Sequence, residues 1–485
     1  MRLEQVSFIT SDIKESPVFF KSFQVKGKPE KACLTVTGLG LYCAFINGVK
    51  AGDEYLSPGY NDYDGYLRFM EQDVSELIKE GENKIEVYLG NGWYKGRFGL
   101  MSSVNTWGEE YLLAAVLKME LDDGSTLMIE TDESWKASES AIRSNSIYDG
   151  EVRDDTAGCP MPGRLPETSF CEFQFPVSGR ISSPNGEDAP SANRAASAPA
   201  AVLSCRRSEK TYHLVPELCP PIRAKAQRKP KLLLTPKGDQ ILDFGQNLAG
   251  YTELRLTAKA GQKITLWHGE ILDENGNFTQ SNFEPGERNK NGGIPQKITY
   301  ICKDGLNVYK PSFALFGFRY AKVETETDLK NASFTAIAVY SRMPQVGFFT
   351  CGNADVNRLF QNSLWSMRSN FCDIPTDCPT RERAGWTGDA GVFAPTAVHL
   401  ADCYPILRKW LGECRLAQAE NGLIANIAPI NDKRDQISLA LQGSAGWGDA
   451  CILVPWALYQ AYGKKEILEE NYGMMARWLS FCENR

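Results

Sequence analysis

The hydrophobic period of the sequence changes near residue 350, and this change limits the possible folds more than any other feature. Before it, short alternating runs such as KACLTVTGL and LYCAFING are separated by turn signals such as Asn47-Gly48 and Asn91-Gly92. Asn-Gly between apolar runs is typical of tight hairpins, because both residues adopt positive φ at little cost. After it, apolar residues recur at helical spacing, first over 354–371. The pattern predicts antiparallel β domains followed by a helical domain.

The chain is predicted to contain several domains, because 485 residues are too many for one hydrophobic core. Residues 1–165 are predicted to form a β-sandwich or jelly roll, and residues 213–345 a second one. Between them, 166–212 is predicted to be a linker or insertion that is partly disordered, since its Ser, Ala and Pro residues bury little apolar surface. The helical domain is predicted to occupy 346–485.

Charge and composition argue against several kinds of partner and site. The net charge of -7 is a poor match for nucleic acid, because phosphate binding needs concentrated Lys and Arg. The sequence has no apolar run long enough for a membrane span and no readable cleavable signal, and its fourteen scattered cysteines form no CxxC pair. These features favour a cytoplasmic protein with reduced thiols.

Metal and cofactor sites find little support in the sequence. Its three histidines, His213, His268 and His399, lie far apart, which is unfavourable for a zinc centre or a Ser-His-Asp triad. No cofactor or metal is predicted, although acidic turns in the β domains leave a structural calcium open. His268 is expected to be a hydrogen-bonded strand residue rather than a ligand.

The stretch DIPTDCPTRERAGWTGDA, residues 373–390, has the composition of a catalytic loop. It brings together carboxylates, arginines and a tryptophan, and its Pro and Gly residues predict a loop between helices. Ionised carboxylates accept hydrogen bonds from sugar hydroxyls, and an indole face covers the C–H side of a sugar ring. The plainer interpretation is a solvated acidic loop in which Arg381 and Arg383 neutralise the carboxylates, and spacing alone favours that interpretation.

The order of residues in this loop resembles the signature of the bacterial α-L-rhamnosidase family. The matching run is Asp377-Cys378-Pro379-Thr380-Arg381-Glu382-Arg383-Ala384-Gly385-Trp386-Thr387-Gly388-Asp389. Further strings resemble the family in the same order along nearly the whole chain, apart from about 155–212. They are Pro58–Tyr63, Leu89–Tyr94, Asp132–Trp135, Ile147–Glu151, Asp243–Asn247, Gly317–Tyr320 and Ala445–Ala450. Each string alone is weak, whereas their shared order is specific.

The resemblance implies a carbohydrate-binding type of N-terminal sandwich and an (α/α)6 barrel that removes terminal α-L-rhamnose with inversion. Inversion needs a general acid and a general base roughly 6.5–9.5 Å apart. The chain resembles the shorter variant of the signature, which leaves Glu382 as the candidate acid. Repulsion from Asp377 and Asp389, together with partial burial, is expected to keep a proton on it.

The resemblance also implies a set of sugar-binding residues. Asp377 and Asp389 match positions that bind rhamnose hydroxyls, and Trp386 and Trp447 match aromatic walls of the pocket. Arg381 is expected to pair mainly with a sugar hydroxyl or with one aspartate. For both tryptophans the plainer interpretation is core packing. For the string at 445–450 the plainer interpretation is a helix start. Gly-Gln-Asn at 245–247 is expected to be turn chemistry.

The chain is expected to be truncated. An (α/α)6 barrel has twelve helices, whereas the periodicity after residue 350 predicts about five, at 354–371, 390–402, 404–420, 447–462 and 465–483. The general base of the family lies well downstream of the acid, and is expected beyond the chain. Residues 1–485 alone are therefore predicted to be inactive.

Three functions remain open at this stage, and the sequence does not indicate an oligomeric state. They are an α-L-rhamnosidase acting on rhamnose-containing glycosides or oligosaccharides, a non-catalytic carbohydrate-binding protein, and an inverting (α/α)6 glycosidase for another sugar.

Overall fold

The computed structural model describes residue 3 and residues 6–27, 29–98, 103–159, 161, 201–283, 295–430 and 442–484. The predicted change from strands to helices is confirmed. The last long strand ends at Ser341, and the first long helix begins at Ala354. Two β domains followed by a helical domain therefore make up the described part of the chain.

The first β domain is a sandwich of a seven-stranded and a six-stranded sheet. The seven-stranded sheet contains β1 (Ile9–Thr10), β3 (Pro29–Leu39), β6 (Leu67–Asp73), β8 (Leu112–Leu121), β9 (Thr126–Glu130), β14 (Arg206–Arg207) and β15 (Leu214–Pro216). The six-stranded sheet contains β2 (Pro17–Val25), β4 (Leu41–Ile46), β5 (Val49–Lys50), β7 (Gly81–Gly90), β10 (Lys136–Glu139) and β13 (Leu203–Ser204). Alternation along the strands buries Leu34 and Val36 of β3 together with Phe19 of β2 and Val87 of β7 in one core. A short helix, α1 (Gly92–Lys95), follows β7.

The second β domain is one hydrogen-bonded sheet of ten strands, where a sandwich was predicted. Its strands are β11 (Ile142–Ser146), β12 (Gly150–Asp154), β16 (Ile222–Arg228), β17 (Lys231–Leu234), β18 (Gln240–Ala258), β19 (Lys263–Gly269), β20 (Lys297–Ile301), β21 (Gly305–Tyr309), β22 (Phe316–Thr325) and β23 (Ser333–Ser341). The long strand β18 joins two groups of strands, because its first half pairs with β17 and β22 and its second half with β21 and β23. Leu242 and Leu254 from the two halves of β18 belong to the same buried cluster, so the sheet closes around one core.

Two segments cross the predicted domain boundaries. The hairpin of β11 and β12 pairs with β20, so residues 142–154 belong to the second β domain although the predicted boundary lies at 165. Conversely, β13, β14 and β15 pair with sheets of the first domain, although the prediction assigned them to the linker and the second sandwich. Alternation locates a strand but does not identify its partner. Residues 166–200 of the predicted linker lie outside the described residues.

The helical domain follows the predicted periodicity closely. Its helices are α2 (Ala354–Asn370), α3 (Thr387–Leu400), α4 (Tyr404–Ala417), α5 (Ala445–Gly448), α6 (Ala450–Tyr462) and α7 (Glu466–Glu483). The side chain of Asn353 caps α2, because it accepts hydrogen bonds from the N–H groups of Asp355 and Val356. The predicted helices are thus confirmed to within a few residues, while their place in a twelve-helix barrel stays a prediction.

None of the helices in the described residues has both the length and the apolar character needed to cross a bilayer.

Candidate active site

The loop predicted from the 373–390 stretch connects α2 to α3. After α2 the chain forms two short antiparallel strands, β24 (Phe371–Cys372) and β25 (Ile374–Pro375), and then runs irregularly to Thr387, where α3 begins. The prediction of a loop is correct except for its last residues, which form the first turn of α3. Loops on a rigid scaffold commonly carry catalytic groups.

The first anchor of the loop is Asp373, which is buried and adopts a positive φ of 75°. Its carboxylate pairs with both terminal nitrogens of Arg68 from β6, at 2.6 and 2.8 Å, and with Nζ of Lys409 from α4 at 3.1 Å. Burial raises the pKa of Asp373, but the two cations outweigh burial and hold this pKa well below its usual range. The start of the loop is therefore fixed to the first β domain and to α4.

The second anchor is Arg383, which is also buried and has a positive φ of 49°. Its Nε donates to the carbonyl of Thr380 at 2.9 Å, and Nη2 donates to Oε1 of Gln296 at 2.9 Å. Nη1 donates to the carbonyls of Ile147 and Leu315, which belong to the second β domain and its connections. Burial lowers the pKa of Arg383 to about 10. Arg383 thus binds backbone carbonyls rather than neutralising the carboxylates of the loop.

Sequence reasoning did not identify these anchors. The partners of Asp373 and Arg383 lie up to 313 residues away along the chain, and no local spacing connects them. The available signal was the charge of each residue within an otherwise apolar or turn-rich stretch. That signal indicates a buried polar contact but does not identify its partner.

Glu382 contacts two other residues of the signature, Arg381 and Trp386. Its side chain is 18% exposed, and its Oε2 accepts a hydrogen bond of 2.9 Å from Nε1 of Trp386. Trp386 is half-buried, so its indole both packs and orients the carboxylate. The backbone carbonyl of Glu382 accepts a hydrogen bond from the hydroxyl of Tyr148.

Arg381 extends from the loop towards the second β domain. Its Nε lies 3.6 Å from Oε1 of Glu382, and its Nη1 donates to the carbonyl of Asn282 at 3.1 Å. The side chain is 45% exposed. In this structure its ionic neighbour is Glu382, whereas the sequence analysis expected a sugar hydroxyl or one of the aspartates.

The pKa values of the two aspartates of the signature are raised, mainly by burial. Burial raises the pKa of Asp377 to about 6, and the charges of Glu382 and Asp389 act in the same direction, against a hydrogen bond from Cys378. Burial and the charge of Glu382 also raise the pKa of Asp389. The N–H of Ala384 donates to Oδ1 of Asp377 at 3.1 Å and fixes its orientation. The three carboxylates therefore form one electrostatically coupled group.

A cleft of about 560 Å³ opens beside these carboxylates, a size within the range of small-ligand sites. Asp377, Asp389 and Trp447 line it, with Met367, Phe371 and Phe393 among its apolar residues. Trp447 is 41% exposed, and its indole packs on Gly388, where an added Cβ would lie 2.9 Å from the ring. The remaining predicted site residues, Arg381, Glu382 and Trp386, are beside the cleft but do not line it.

Other residues singled out in the sequence have structural roles. His268 is buried, donates from Nδ1 to the carbonyl of Gln296 and accepts at Nε2 from the hydroxyl of Thr252, both at 3.0 Å, as predicted for a strand residue. Burial lowers its pKa to about 3. Asp449 joins α5 to α6 and accepts from Nε1 of Trp478 at 3.0 Å.

A second group of predicted structural residues, 245–247, lies within β18, at an irregularity of its pairing with β22 between Asp243 and Leu248. Asp243 accepts the N–H of Gly245 at 2.7 Å and pairs with Arg319 at 2.8 and 2.9 Å. The residues are structural, as predicted, but they interrupt the pairing of a continuous strand instead of forming a turn at its end. The pair of Asp243 and Arg319 joins β18 to β22 beside this irregularity.

Possible metal ligands meet at one place among the residues that the structure describes. Glu217, Cys219 and Asp373 have ligand atoms within 4.8 Å of one another. Arg68 pairs with both carboxylates, at 2.8 Å to Glu217 and 2.6 Å to Asp373. A guanidinium therefore already neutralises this group, and the donor set does not fit a cation.

Three domain models from protein families match the sequence in the order of the observed domains. The α-L-rhamnosidase N-terminal domain matches residues 27–163, and the bacterial α-L-rhamnosidase concanavalin-like domain matches residues 233–340. The bacterial α-L-rhamnosidase 6 hairpin glycosidase domain matches residues 344–485. Each model matches the larger part of one domain, and the N-terminal one also includes β11 and β12.

Individual relatives extend this similarity over most of the chain. An α-L-rhamnosidase of Formosa agariphila is 31% identical over 472 residues, which are 95% of this chain and 46% of that protein. An α-L-rhamnosidase of Streptomyces avermitilis is 32% identical over 463 residues, which are 94% of this chain and 40% of that protein. The chain thus spans less than half the length of the curated relatives it matches.

Solved structures resemble the chain to the same extent. The crystal structure of Streptomyces avermitilis α-L-rhamnosidase complexed with L-rhamnose gives a TM-score of 0.82 at 30% identity, over 97% of this chain and 42% of that one. Native α-L-rhamnosidase from Aspergillus terreus gives a TM-score of 0.82 at 33% identity, over 98% of this chain and 52% of that one.

Proposed function

This chain belongs to the bacterial α-L-rhamnosidase family, and from that premise we propose that its cleft binds a terminal α-L-rhamnosyl residue for hydrolysis with Glu382 as the general acid. The observation that carries the proposal is the group of three coupled carboxylates beside an apolar cleft, with the indole of Trp386 donating to Glu382 at 2.9 Å. Because the chain belongs to this family and the carboxylates lie beside a cleft of sugar size, a catalytic role of the loop is favoured over a solvated acidic loop.

The cleft has the two kinds of surface that a 6-deoxy sugar requires. The carboxylates of Asp377 and Asp389 accept hydrogen bonds from ring hydroxyls. The exposed indole of Trp447, with Phe371 and Phe393, covers the C–H faces and the 6-methyl group. We assign sugar binding to Asp377, Asp389, Trp386, Trp447 and Arg381.

The acid has to donate a proton to the leaving oxygen as the glycosidic bond breaks. Next to it, burial and, to a smaller extent, the charges of Glu382 and Asp389 raise the pKa of Asp377 to about 6. The hydrogen bond from Trp386 fixes Oε2 of Glu382, which leaves Oε1 as the oxygen for proton transfer. In this proposal Trp386 orients the acid and does not itself move a proton.

Inversion is the stereochemical part of the proposal. It requires a second carboxylate that activates water on the face of the sugar opposite Glu382, roughly 6.5–9.5 Å away. We assign this base to no residue of the chain. We also propose a cytoplasmic location, because the described cysteines are free thiols.

The test is hydrolysis of aryl α-L-rhamnosides and rhamnosyl oligosaccharides by the natural gene product, followed by proton NMR. The proposal predicts release of L-rhamnose, with the β-anomer formed first and the α-anomer appearing only by mutarotation. First formation of the α-anomer would exclude inversion. Binding of L-rhamnose without release would favour a carbohydrate-binding protein, and release of a different sugar from a glycoside panel would favour another glycosidase.

A further inference from the structure

A row of four polar side chains leads from Glu382 onto the second β domain. Arg381 lies 3.6 Å from Glu382 and donates to the backbone carbonyl of Asn282 at 3.1 Å. The side-chain amide of Asn282 donates to Oε2 of Glu270 at 2.8 Å, and that of Asn247 donates to Oε1 of Glu270 at 2.9 Å. We call Arg381, Asn282, Glu270 and Asn247 the polar row.

The polar row and the cleft meet Glu382 through different neighbours. The cleft is lined by Asp377 and Asp389, which precede and follow Glu382 in the same loop and helix start. None of the residues in the polar row lines the cleft, and the row reaches Glu382 through Arg381. An acid that protonates the leaving oxygen stands between the sugar being released and the group it leaves. With the sugar in the cleft, the row is therefore next to the leaving group.

The side chains of the row are held in place but still accessible. Asn247 and Arg381 are exposed, whereas Asn282 and Glu270 are half-buried. The carboxylate of Glu270 receives one amide N–H on each oxygen, so its plane is fixed while further lone pairs stay available. Such a set of oriented carboxylate, amide and guanidinium groups matches the alternating donors and acceptors of a hydroxylated ring. The four groups of the row are all polar, which suits a hydroxylated ring better than a flat aromatic group.

We propose that the polar row is the leaving-group subsite and that it takes a second, hydroxylated sugar, so that rhamnosyl oligosaccharides rather than aryl rhamnosides are the preferred substrates. This inference rests on the proposed function, because it uses Glu382 as the acid and the cleft as the rhamnose site. A bridge between domains is the plainer role of the row, and the experiment separates the two.

The experiment compares ligand binding, using sulfur-linked analogues that resist hydrolysis. The probes are phenyl 1-thio-α-L-rhamnoside and thio-linked α-L-rhamnosyl-(1→2)-, (1→4)- and (1→6)-glucosides, titrated calorimetrically into the natural gene product. The variants are Asn247→Ala and Glu270→Gln. Their matched controls are Asn275→Ala and Glu274→Gln, which change exposed residues of a neighbouring turn in the same domain.

The inference predicts that wild type binds at least one rhamnosyl glucoside more tightly than the phenyl ligand. Asn247→Ala and Glu270→Gln should each weaken that glucoside about tenfold, the effect of one hydrogen bond to a charged group, and leave the phenyl ligand within about twofold. The controls should bind both ligands like wild type.

Two results would overturn the inference. Equal losses for both ligands in the row variants, or no loss for either, would mean that the row only joins the domains or faces solvent, while the rhamnose site stands. Failure of wild type to bind even L-rhamnose would remove the proposed function together with the inference.

Discussion

Glu382 illustrates how one neighbour can determine the use of a carboxylate. The indole of Trp386 reaches Oε2 with its only N–H, which fixes the carboxylate and leaves the other oxygen next to Arg381 at 3.6 Å. Glu382 becomes a carboxylate as it gives up its proton, and hydrogen bonds to a charged group are worth about 1.5–3 kcal/mol. The orientation of the acid is therefore expected to depend on that single N–H.

Replacing Trp386 with Phe removes the N–H and keeps an aromatic ring of similar position. We expect Trp386→Phe to lower kcat for rhamnoside hydrolysis by about tenfold to a hundredfold, because Glu382 loses its orienting partner. KM should change little. Steady-state kinetics of the natural gene product provide the measurement.

Trp447→Phe serves as the control for this substitution. Trp447 lines the cleft but does not bind Glu382, so its replacement should change KM more than kcat. An unchanged kcat in Trp386→Phe would mean that the indole hydrogen bond does not matter for the acid.

Asp377 provides a pH-dependent prediction about stability. Folding raises its pKa from 3.8 to about 6, so the folded state disfavours the ionised form. The resulting destabilisation is absent below pH 3.8, where both states are protonated, and is complete above about pH 6. Asp377→Asn keeps an oxygen for the N–H of Ala384, and should increase stability at pH 8 by up to about 2 kcal/mol.

Denaturant midpoints at pH 8 and pH 4 provide the measurement for Asp377→Asn. The gain should shrink towards pH 4, and Asp122→Asn, at an exposed aspartate, should show neither the gain nor its pH dependence. Destabilisation by Asp377→Asn at pH 8 would contradict the raised pKa.

What the sequence reveals about single side chains follows from how local their contacts are. Asp377, Glu382, Trp386 and Asp389 lie within thirteen positions of one another, so the signature already groups them. The pairing of Asp373 with Arg68 spans 305 residues. No spacing rule connects such partners, and only the folded chain reveals them.

Among the helices and strands, the start of α3 determines the shape of the cleft. Its first turn places Gly388 under Trp447 of α5, and a Cβ at residue 388 would lie 2.9 Å from the indole. The absence of a side chain is therefore what allows the two helices to bring the indole to the cleft.

Gly388→Ala should displace the indole of Trp447 from its present position. We expect the affinity for L-rhamnose to fall about tenfold or more, because an aromatic wall of the cleft moves. Calorimetric titration of L-rhamnose checks this.

Gly473→Ala in α7 is the matched control for Gly388→Ala. It adds the same methyl group to another helix, where the nearest atom is 3.6 Å away at the end of the Arg477 side chain. It should leave L-rhamnose binding unchanged, since Ala favours the helix. Unchanged binding in Gly388→Ala would mean that Trp447 is not part of the sugar site.

The elements themselves were mostly predictable from periodicity, which locates α2, α3, α4, α6 and α7 within a few residues of their observed bounds but does not separate α5 from α6. Their partners were less predictable, because a strand pattern is the same whichever sheet receives it. The hairpin of β11 and β12 shows this, since its strands read as part of the first domain but pair with β20.

The chain as a whole is held together by elements that cross between its β domains. A fragment of residues 1–165 would separate β12 from β20 and would lack β13, β14 and β15. We expect this fragment to be poorly folded, because it exposes unpaired strand edges and part of the second core. A fragment of residues 1–345 keeps these pairings and should fold.

Proton–nitrogen correlation spectra of the two fragments test this expectation. Residues 1–345 should give dispersed amide signals and residues 1–165 should give collapsed or broadened ones. A well-dispersed spectrum from residues 1–165 would show that the first sandwich does not depend on the crossing strands.

The most decisive measurement of the catalytic role of Glu382 is the dependence of rhamnoside hydrolysis on the leaving group. Glu382→Gln in the natural gene product should lose most of its kcat/KM on an alkyl rhamnoside or a rhamnosyl disaccharide, where the leaving oxygen needs a proton. It should keep much more on 2,4-dinitrophenyl α-L-rhamnoside, whose phenolate leaves without one. Equal losses on all leaving groups, or none, would contradict the assignment of Glu382 as the general acid.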